Sequence, residues 1–253
     1  MRKFGFTLAE VLITLGLIGV VAAITIPSLT SGSQEQANAA KLAASVSTIE
    51  NAFTSAMTKD RVENLNDSVL WDDLPAVDNT SDDDDKSLLA GRLGQYLALS
   101  GYKDSDGSVK YGMTNSGGRG SATDACSTYL VLVMKNGAEL MISRENDNGF
   151  LALDDEDVVP RGVSLKEIVA DVIIDVNGPS GPNTVGRDLF RFILGQDGVL
   201  YPYGSFNVIN YINSNAGDTA TWATATGDNG CNSTSMSWGC TARLIDNGYK
   251  VNY

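Results

Sequence analysis

The sequence predicts an α+β fold in which a helical stalk at the N-terminus precedes a separate head that contains β-strands. Three patterns predict it. Residues 11–26 are apolar apart from two threonines, residues 42–57 carry an apolar side chain every three or four positions, and later apolar runs meet at Asn-Gly or Asp-Gly turns. With 253 residues and 43% hydrophobic content, the chain is long enough to bury a sizeable core.

The first apolar run has the length of a membrane span. A helix that rises about 1.5 Å per residue covers roughly 30 Å between Phe6 and Ile26, the thickness of a bilayer core. Arg2 and Lys3 precede this run. The positive-inside rule therefore predicts a cytoplasmic N-terminus, with everything after Pro27 outside.

The helix is predicted to continue as an amphipathic segment to about Lys59. Its apolar stripe consists of Leu42, Val46, Ile49, Phe53 and Met57. A stripe of this spacing is typical of a helix that packs against a core, so we expect it to lie on the sheet of the head. Pro27 removes one helical hydrogen bond, which predicts a bend or a local loosening there.

The rest of the chain is predicted to form the head. Residues 60–86 are rich in aspartate and are interpreted as a surface loop, and residues 88–99 as a short helix. Two hairpins follow, one around Asn136-Gly137 and one around Asp197-Gly198, with a further strand at 168–176. A helix or strand, an Asn-Gly turn and a closing strand are expected at the C-terminus.

Composition excludes several classes of function. The formal charge of −13 opposes binding to nucleic acid phosphates or anionic headgroups, so no nucleic acid partner is predicted. Without histidine, the chain lacks Ser-His and Cys-His nucleophile pairs and the usual His-containing zinc sites.

The three cysteines do not have the spacing of a zinc or thioredoxin-like motif. Cys231 and Cys240 enclose a short polar segment, and a disulfide between them would suit an oxidising compartment. The alternative is three reduced, buried thiols. Cys126 is either free or the partner of one of the other two, because sequence does not fix connectivity.

One polar segment has the composition of a cation site. Asp175 and Asn177 alternate at a strand end, and turns rich in Gly and Pro could bring Asn183 and Asp188 to the same place. Hard oxygen ligands of this kind suit calcium. The alternative is a loop held by Asx-turn hydrogen bonds without a metal.

Glu10 does not fit an ordinary secretory signal. A carboxylate inside a membrane span costs on the order of 3 kcal/mol, which suggests a partner that neutralises it, unless the side chain reaches the cytoplasmic headgroups. The run from Lys3 to Ile13, KFGFTLAEVLI, together with Pro27, resembles the type IV prepilin and type II secretion pseudopilin family. The resemblance is close over the first thirty residues.

This resemblance implies how the chain is organised and processed. A leader, residues 1–5, would be removed by a prepilin peptidase between Gly5 and Phe6, and the new Phe6 amine would be methylated. Residues 6–59 would form one long helix, of which 6–26 spans the membrane and later forms the filament core. Residues 60–253 would form a globular head in which an antiparallel sheet packs on that helix.

The resemblance also implies a function and partners. Glu10 of one subunit would pair with the Phe6 ammonium of its neighbour, so that each buried charge is neutralised in the filament. The subunit would sit in the inner membrane, assemble with copies of itself or related pilins, and contact an inner-membrane assembly platform. No cofactor is required by this function, and calcium in the head remains a hypothesis.

A different class of function stays open from the residues alone. The N-terminal segment could serve only as an anchor or signal for a membrane-tethered or secreted binding domain, or for a hydrolase that uses carboxylates. Such an anchor has no need of Gly5-Phe6 or of Glu10.

Overall fold

A computed structural model describes residues 7–72, 74, 83–103, 129–144, 168–178, 183–205, 223, 230–231 and 237–252. Their elements, in chain order, are helix α1 (Leu8–Asp60), two short 3-10 helices (Leu65–Asp67 and Val69–Trp71), helix α2 (Asp83–Leu93), strands β1 (Leu99–Lys103), β2 (Leu130–Met134), β3 (Glu139–Ser143), β4 (Ile168–Asp175), β5 (Leu189–Gly195) and β6 (Leu200–Pro202), and helix α3 (Cys240–Asp246). The predicted α+β architecture, a long helix packed on an antiparallel sheet, is confirmed.

The six strands form one sheet in the order β1-β2-β3-β4-β5-β6, and every neighbouring pair is antiparallel. Both predicted hairpins are present. In the turn between β2 and β3, Gly137 has a φ of +86°, a conformation that a residue with a side chain rarely adopts. The strands lie in the sheet in the same order as in the sequence, which is the arrangement that hairpins between consecutive strands favour.

The C-terminal half of α1 covers one face of the sheet. Its buried apolar side chains lie on one face of the helix, at Ala39, Leu42, Val46, Ile49, Ala52, Phe53 and Ala56. They pack with the side chains that point from β2, β3, β4 and β5 toward the same side, among them Leu132, Leu140, Val172 and Phe192. The predicted stripe is confirmed, although Met57 at its end is only partly buried.

The opposite face of the sheet is also buried. Ile173 and Met141 are completely inaccessible there, and Trp238 packs with them. Within this layer Arg191 forms an ion pair with Asp171 and lies over the rings of Tyr203 and Trp238, at 4.8 and 5.7 Å from their centroids. A sheet buried on both faces explains why its strands read as continuous apolar runs.

Three expectations about the head are wrong. The 60–86 segment was expected to be a surface loop, but it contains the two 3-10 helices and the buried side chains of Leu65, Leu70, Trp71 and Leu74.

The helix expected at 88–99 lies at Asp83–Leu93, where acidic residues in its first turn interact favourably with the positive end of the helix dipole. Leu99 instead begins a strand that pairs with β2, and no strand follows the turn after α3 within 250–252.

Some residues of the sequence hypotheses lie outside the described part of the chain. These are Gly5 and Phe6 at the expected cleavage site, and Cys126. The backbone at Pro27 belongs to α1, which is assigned as one uninterrupted helix from Leu8 to Asp60.

Candidate functional site

The N-terminal half of α1 is a helix without an apolar cover in the described chain. Residues Leu8–Thr25 have a mean hydropathy of 2.3, none of them is buried, and by length and composition they are long enough to cross a membrane. Leu8 is 80% exposed, and Ile13 and Ile24 are each 71% exposed. Exposed apolar surface of this extent requires lipid or other protein around it.

The N-terminus of this helix is capped by the side chains of its own first residues. The backbone N–H and the hydroxyl of Thr7 both donate to Oε2 of Glu10, at 2.9 and 2.8 Å, and the N–H of Glu10 donates to the Thr7 hydroxyl at 3.3 Å. This reciprocal arrangement is a capping box. In the isolated chain, the carboxylate of Glu10 is thus bound at the N-terminus of its own helix.

Thr7 was not among the residues predicted to have a role. The signal was present, because a threonine followed three residues later by a glutamate at the start of an apolar run is the sequence signature of a capping box. The other hydroxyls in the run are satisfied locally: Thr14 donates to the carbonyl oxygen of Glu10 at 2.9 Å, and Thr25 to that of Val21 at 2.9 Å. They leave the outer surface of the helix apolar.

The four residues of the cation hypothesis lie close together in the head. At the end of β4, the N–H of Asn177 donates to Oδ1 of Asp175 at 3.1 Å, and its side-chain amide donates to Oδ2 of Asp188 at 3.3 Å. The N–H groups of Asn183 and Thr184 also donate to Asp188. The bond from Asn177 to Asp175 is an Asx turn, and Asp188 is held by three donors, an arrangement that the alternative without a metal predicts.

A third carboxylate, missed by the sequence analysis, joins this group. Glu139 pairs with Asp175 across β3 and β4, and Glu139, Asp175 and Asp188 are each at most 1% exposed. We call these three residues the carboxylate cluster. Nothing in the local sequence around Glu139 indicates this proximity, because it depends on the register of two strands that are 36 positions apart.

Burial alters the acidity of the carboxylate cluster. Loss of hydration raises the pKa of Asp175 to about 8, with smaller increases from the negative charges of Asp188 and Glu139, while the N–H of Asn177 opposes the shift. Burial likewise raises the pKa of Asp188, against its hydrogen bonds from Thr184 and Asn177. At neutral pH, Asp175 therefore holds a proton in the folded head.

A cation in this loop would need oxygen atoms that are not already hydrogen-bonded. Oδ2 of Asp175 and the amide oxygen of Asn183 are inaccessible to solvent and have no hydrogen-bond partner among the residues that the structure describes. Within the described ranges, however, no set of three or more acidic, Cys or His side chains is arranged to hold a metal ion. A cation here would thus rely on two carboxylates together with amide and backbone oxygens.

The cysteine pair lies beside this loop. The sulfurs of Cys231 and Cys240 are 2.02 Å apart and their Cα atoms 4.9 Å apart, which fits the expected bridge. Cys240 begins α3, which is attached to the sheet: the Thr241 hydroxyl accepts from the N–H of Arg191 at 3.1 Å, and the N–H of Ala242 donates to the carbonyl oxygen of Tyr203 at 3.2 Å.

Comparison with known proteins identifies the N-terminal region. Residues 1–26 match the family model described as the prokaryotic N-terminal methylation motif. Searches of the curated proteins and of the solved structures found no match to this chain. The match confirms the resemblance read from residues 3–13, and it ends where the apolar segment ends.

Proposed function

We propose that this chain, which carries the prokaryotic N-terminal methylation motif at residues 1–26, is a structural subunit of a type IV pilus or a type II secretion pseudopilus and not an enzyme. The observation that carries the proposal is the uncovered apolar helix Leu8–Thr25 directly after the motif. A helix of this kind serves both as a membrane anchor and as the core of a helical assembly, since each environment covers its apolar surface.

Processing precedes assembly in this proposal. A prepilin peptidase cuts between Gly5 and Phe6 on the cytoplasmic side, and the Phe6 amine is then methylated. The basic leader residues Arg2 and Lys3 fix the orientation before they are removed, with the N-terminus in the cytoplasm and the head outside. The subunit thus waits in the inner membrane as a single-pass protein.

Assembly exchanges one set of contacts of Glu10 for another. In the single chain, its carboxylate accepts from Thr7 at the helix N-terminus. In the filament, it pairs with the Phe6 ammonium of a neighbouring subunit, which also sets the axial stagger between subunits. The subunit assembles with further copies of itself or with related pilin subunits. Glu10 changes its contacts at the inner-membrane assembly platform, and the product is an extracytoplasmic filament.

The test is the intact mass and the N-terminal sequence of protein recovered from membranes and from shed filaments. We expect the natural sequence to give a chain that begins at N-methylated Phe6. A Gly5→Val variant should not be cleaved, and a Glu10→Ala variant should be cleaved but absent from filaments. Glu63→Ala, a change of the same kind at an exposed head position, is the matched control and should assemble normally.

Two results would contradict the proposal. A mature chain that begins near Thr25 would indicate an ordinary signal sequence, and an intact Met1 with no filament phenotype would indicate a simple anchor. Either result would favour the alternative function, an anchored or secreted binding domain, or a hydrolase.

A second proposal concerns the loop of Asp175, Asn177, Asn183 and Asp188. The observation that favours a cation there is that, within the described part of the chain, the buried Oδ2 of Asp175 and the amide oxygen of Asn183 have no hydrogen-bond donor. We propose that calcium, when present, binds these oxygens and displaces the proton of Asp175. Binding would then be stronger at pH 8 than at pH 6, because the proton competes with the ion.

Thermal unfolding with added CaCl₂ or with EDTA tests this second proposal. We expect calcium to raise the Tm at pH 8 in the natural sequence and to leave the Asp175→Asn variant unchanged, since a ligand stabilises only the state that binds it. Equal Tm values with calcium and with chelator would refute the site and support a loop held by hydrogen bonds alone.

A further inference from the structure

An asparagine that precedes a glycine can react with its own backbone. The glycine nitrogen attacks the side-chain carbonyl carbon of the asparagine, and the side chain loses ammonia. Such pairs occur in the described part of the chain at Asn136-Gly137, Asn177-Gly178 and Asn247-Gly248. Because the reacting groups are the same in each pair, their surroundings in the fold decide which pair reacts first.

The pair in the turn between β2 and β3 is open to solvent. Asn136 and Gly137 are both exposed, and a Cβ atom added to Gly137 would have no other atom within 4 Å. The N–H of Ala138 donates to Oδ1 of Asn136 at 3.0 Å, which forms an Asx turn. Negative charge develops on this oxygen during the attack, so the Ala138 N–H stabilises the intermediate. Among the described residues, none accepts a hydrogen bond from the amide nitrogen of Asn136, which is the atom that leaves as ammonia.

In the other two pairs, hydrogen bonds hold the amide nitrogen that must leave. The side-chain amide of Asn177 donates to Oδ2 of Asp188 at 3.3 Å, and that of Asn247 donates to Oδ1 of Asn252 at 3.1 Å. Both asparagines are only partly exposed, and Gly178 is buried. Reaction at either place therefore requires the loss of a hydrogen bond that the asparagine of the β2–β3 turn does not make.

The attacking nitrogen does not distinguish the three pairs. The N–H groups of the three glycines are all hydrogen-bonded, and their acceptors in chain order are Met134, Asp175 and Ile245. The loss of this bond is thus a cost that all three reactions share.

We propose that Asn136 is a site of spontaneous deamidation in the folded protein. The nitrogen of Gly137 bonds to Cγ of Asn136, the bond between Cγ and Nδ2 breaks, and ammonia leaves with the proton of the Gly137 N–H. Water then opens the cyclic imide at either of its carbonyl carbons, which leaves aspartate or isoaspartate at position 136. This inference does not depend on the proposed function.

The isoaspartyl product disturbs a close contact in the head. A Cβ atom on Gly178 would lie 2.4 Å from the carbonyl oxygen of Gly137, so these two residues pack without room for a side chain. Isoaspartate lengthens the backbone by one methylene group directly before Gly137. The carbonyl group of Gly137 is then displaced against Gly178, at the end of β4.

Peptide mass spectrometry of the full chain, kept for several weeks in detergent micelles at pH 8, tests the proposal. We expect the peptide that contains Asn136 to gain the mass of an amide-to-acid exchange and to separate into aspartyl and isoaspartyl forms. Its rate should exceed the rates at Asn177 and Asn247 by at least about fivefold, the scale of one net hydrogen bond. A smaller ratio, or a faster reaction at either of the other two sites, would overturn the proposal.

The same chain unfolded in urea separates the effect of the fold from that of the neighbouring residues. The rates at the three sites should become similar there, because the hydrogen bonds that distinguish them are lost. A ratio that persists in urea would overturn the structural explanation.

Asn136→Gln is the matched variant, since it keeps an exposed amide at the same place but requires a larger ring. We expect no change in mass at position 136 and natural rates at Asn177 and Asn247. An equally fast change at position 136 would mean that the amide is lost by direct hydrolysis, which contradicts the proposed attack by Gly137.

Hydrogen exchange tests the effect of the product on the head. In the separated isoaspartyl protein, exchange in peptides that cover 175–178 should be faster than in fresh protein, with unchanged exchange at 240–246. Unchanged exchange at 175–178 would contradict the displacement of Gly137 against Gly178.

Discussion

The buried carboxylate of Asp175 predicts an unusual dependence of stability on pH. The variant Asp175→Asn tests this dependence, because it keeps the size of the side chain and removes the group that titrates. The folded pKa is about 8, and the ordinary value is 3.8. Between these two values the folded head holds a proton that the unfolded chain has lost, so the free energy of unfolding falls as pH rises from about 4 to about 8.

The expected magnitude follows from the proton difference. One proton corresponds to about 1.4 kcal/mol for each pH unit, which sets an upper limit of about 4 kcal/mol between pH 5 and pH 8. Relaxation and water penetration around the charged group reduce this value, and we expect roughly 2 kcal/mol. The raised pKa of Asp188 adds a slope of the same sign, which the Asp175→Asn variant retains.

The assay is urea unfolding of the full chain in detergent with EDTA, followed by tryptophan fluorescence at several pH values. The natural sequence should lose stability toward pH 8, and Asp175→Asn should flatten the dependence and be the more stable protein at pH 8. Asp67→Asn, at an exposed position, is the control and should keep the natural slope. Parallel slopes for the natural sequence and Asp175→Asn would refute the assignment of the proton to Asp175.

The remaining predictions concern packing, the buried ion pair and the helix cap. Phe53→Ala, at a completely buried position between α1 and the sheet, should lower the free energy of unfolding by about 3–5 kcal/mol in urea titration, whereas the exposed Ser47→Ala should change it by less than about 0.5 kcal/mol. Arg191→Met should lower the free energy of unfolding by about 3–5 kcal/mol, because it leaves Asp171 buried without its cation. The double variant Arg191→Met with Asp171→Leu should recover most of that stability. An equal loss of stability in the single and the double variant would contradict this prediction. Thr7→Ala should reduce the stability of the helix N-terminus by about 1 kcal/mol, because it removes the cap. Circular dichroism in micelles should show this as a lower helix content of the N-terminal segment.

Local patterns in the sequence determined much of this protein. The apolar run that ends near Ile26, the stripe from Leu42 to Phe53 and the Asn-Gly turn at Gly137 each describe a single element or hairpin, and each was predicted correctly. Periodicity and turn chemistry depend on neighbouring residues only, so they can be read without knowledge of the fold. The motif in the first 26 residues belongs to the same class of information.

Contacts between residues that are distant in the sequence could not be predicted before the fold was known. Leu99 was expected in a helix, but its pairing with Met134 makes it a strand, since β2 offers hydrogen bonds that a helix end lacks. Glu139 joins Asp175 only through the register of β3 and β4, and Gly186 meets Cys240 only where α3 docks on β5. The physical reason is that burial and proximity, which set the pKa of Asp175 and hold the disulfide against the 183–188 loop, arise from contacts between elements far apart in the chain.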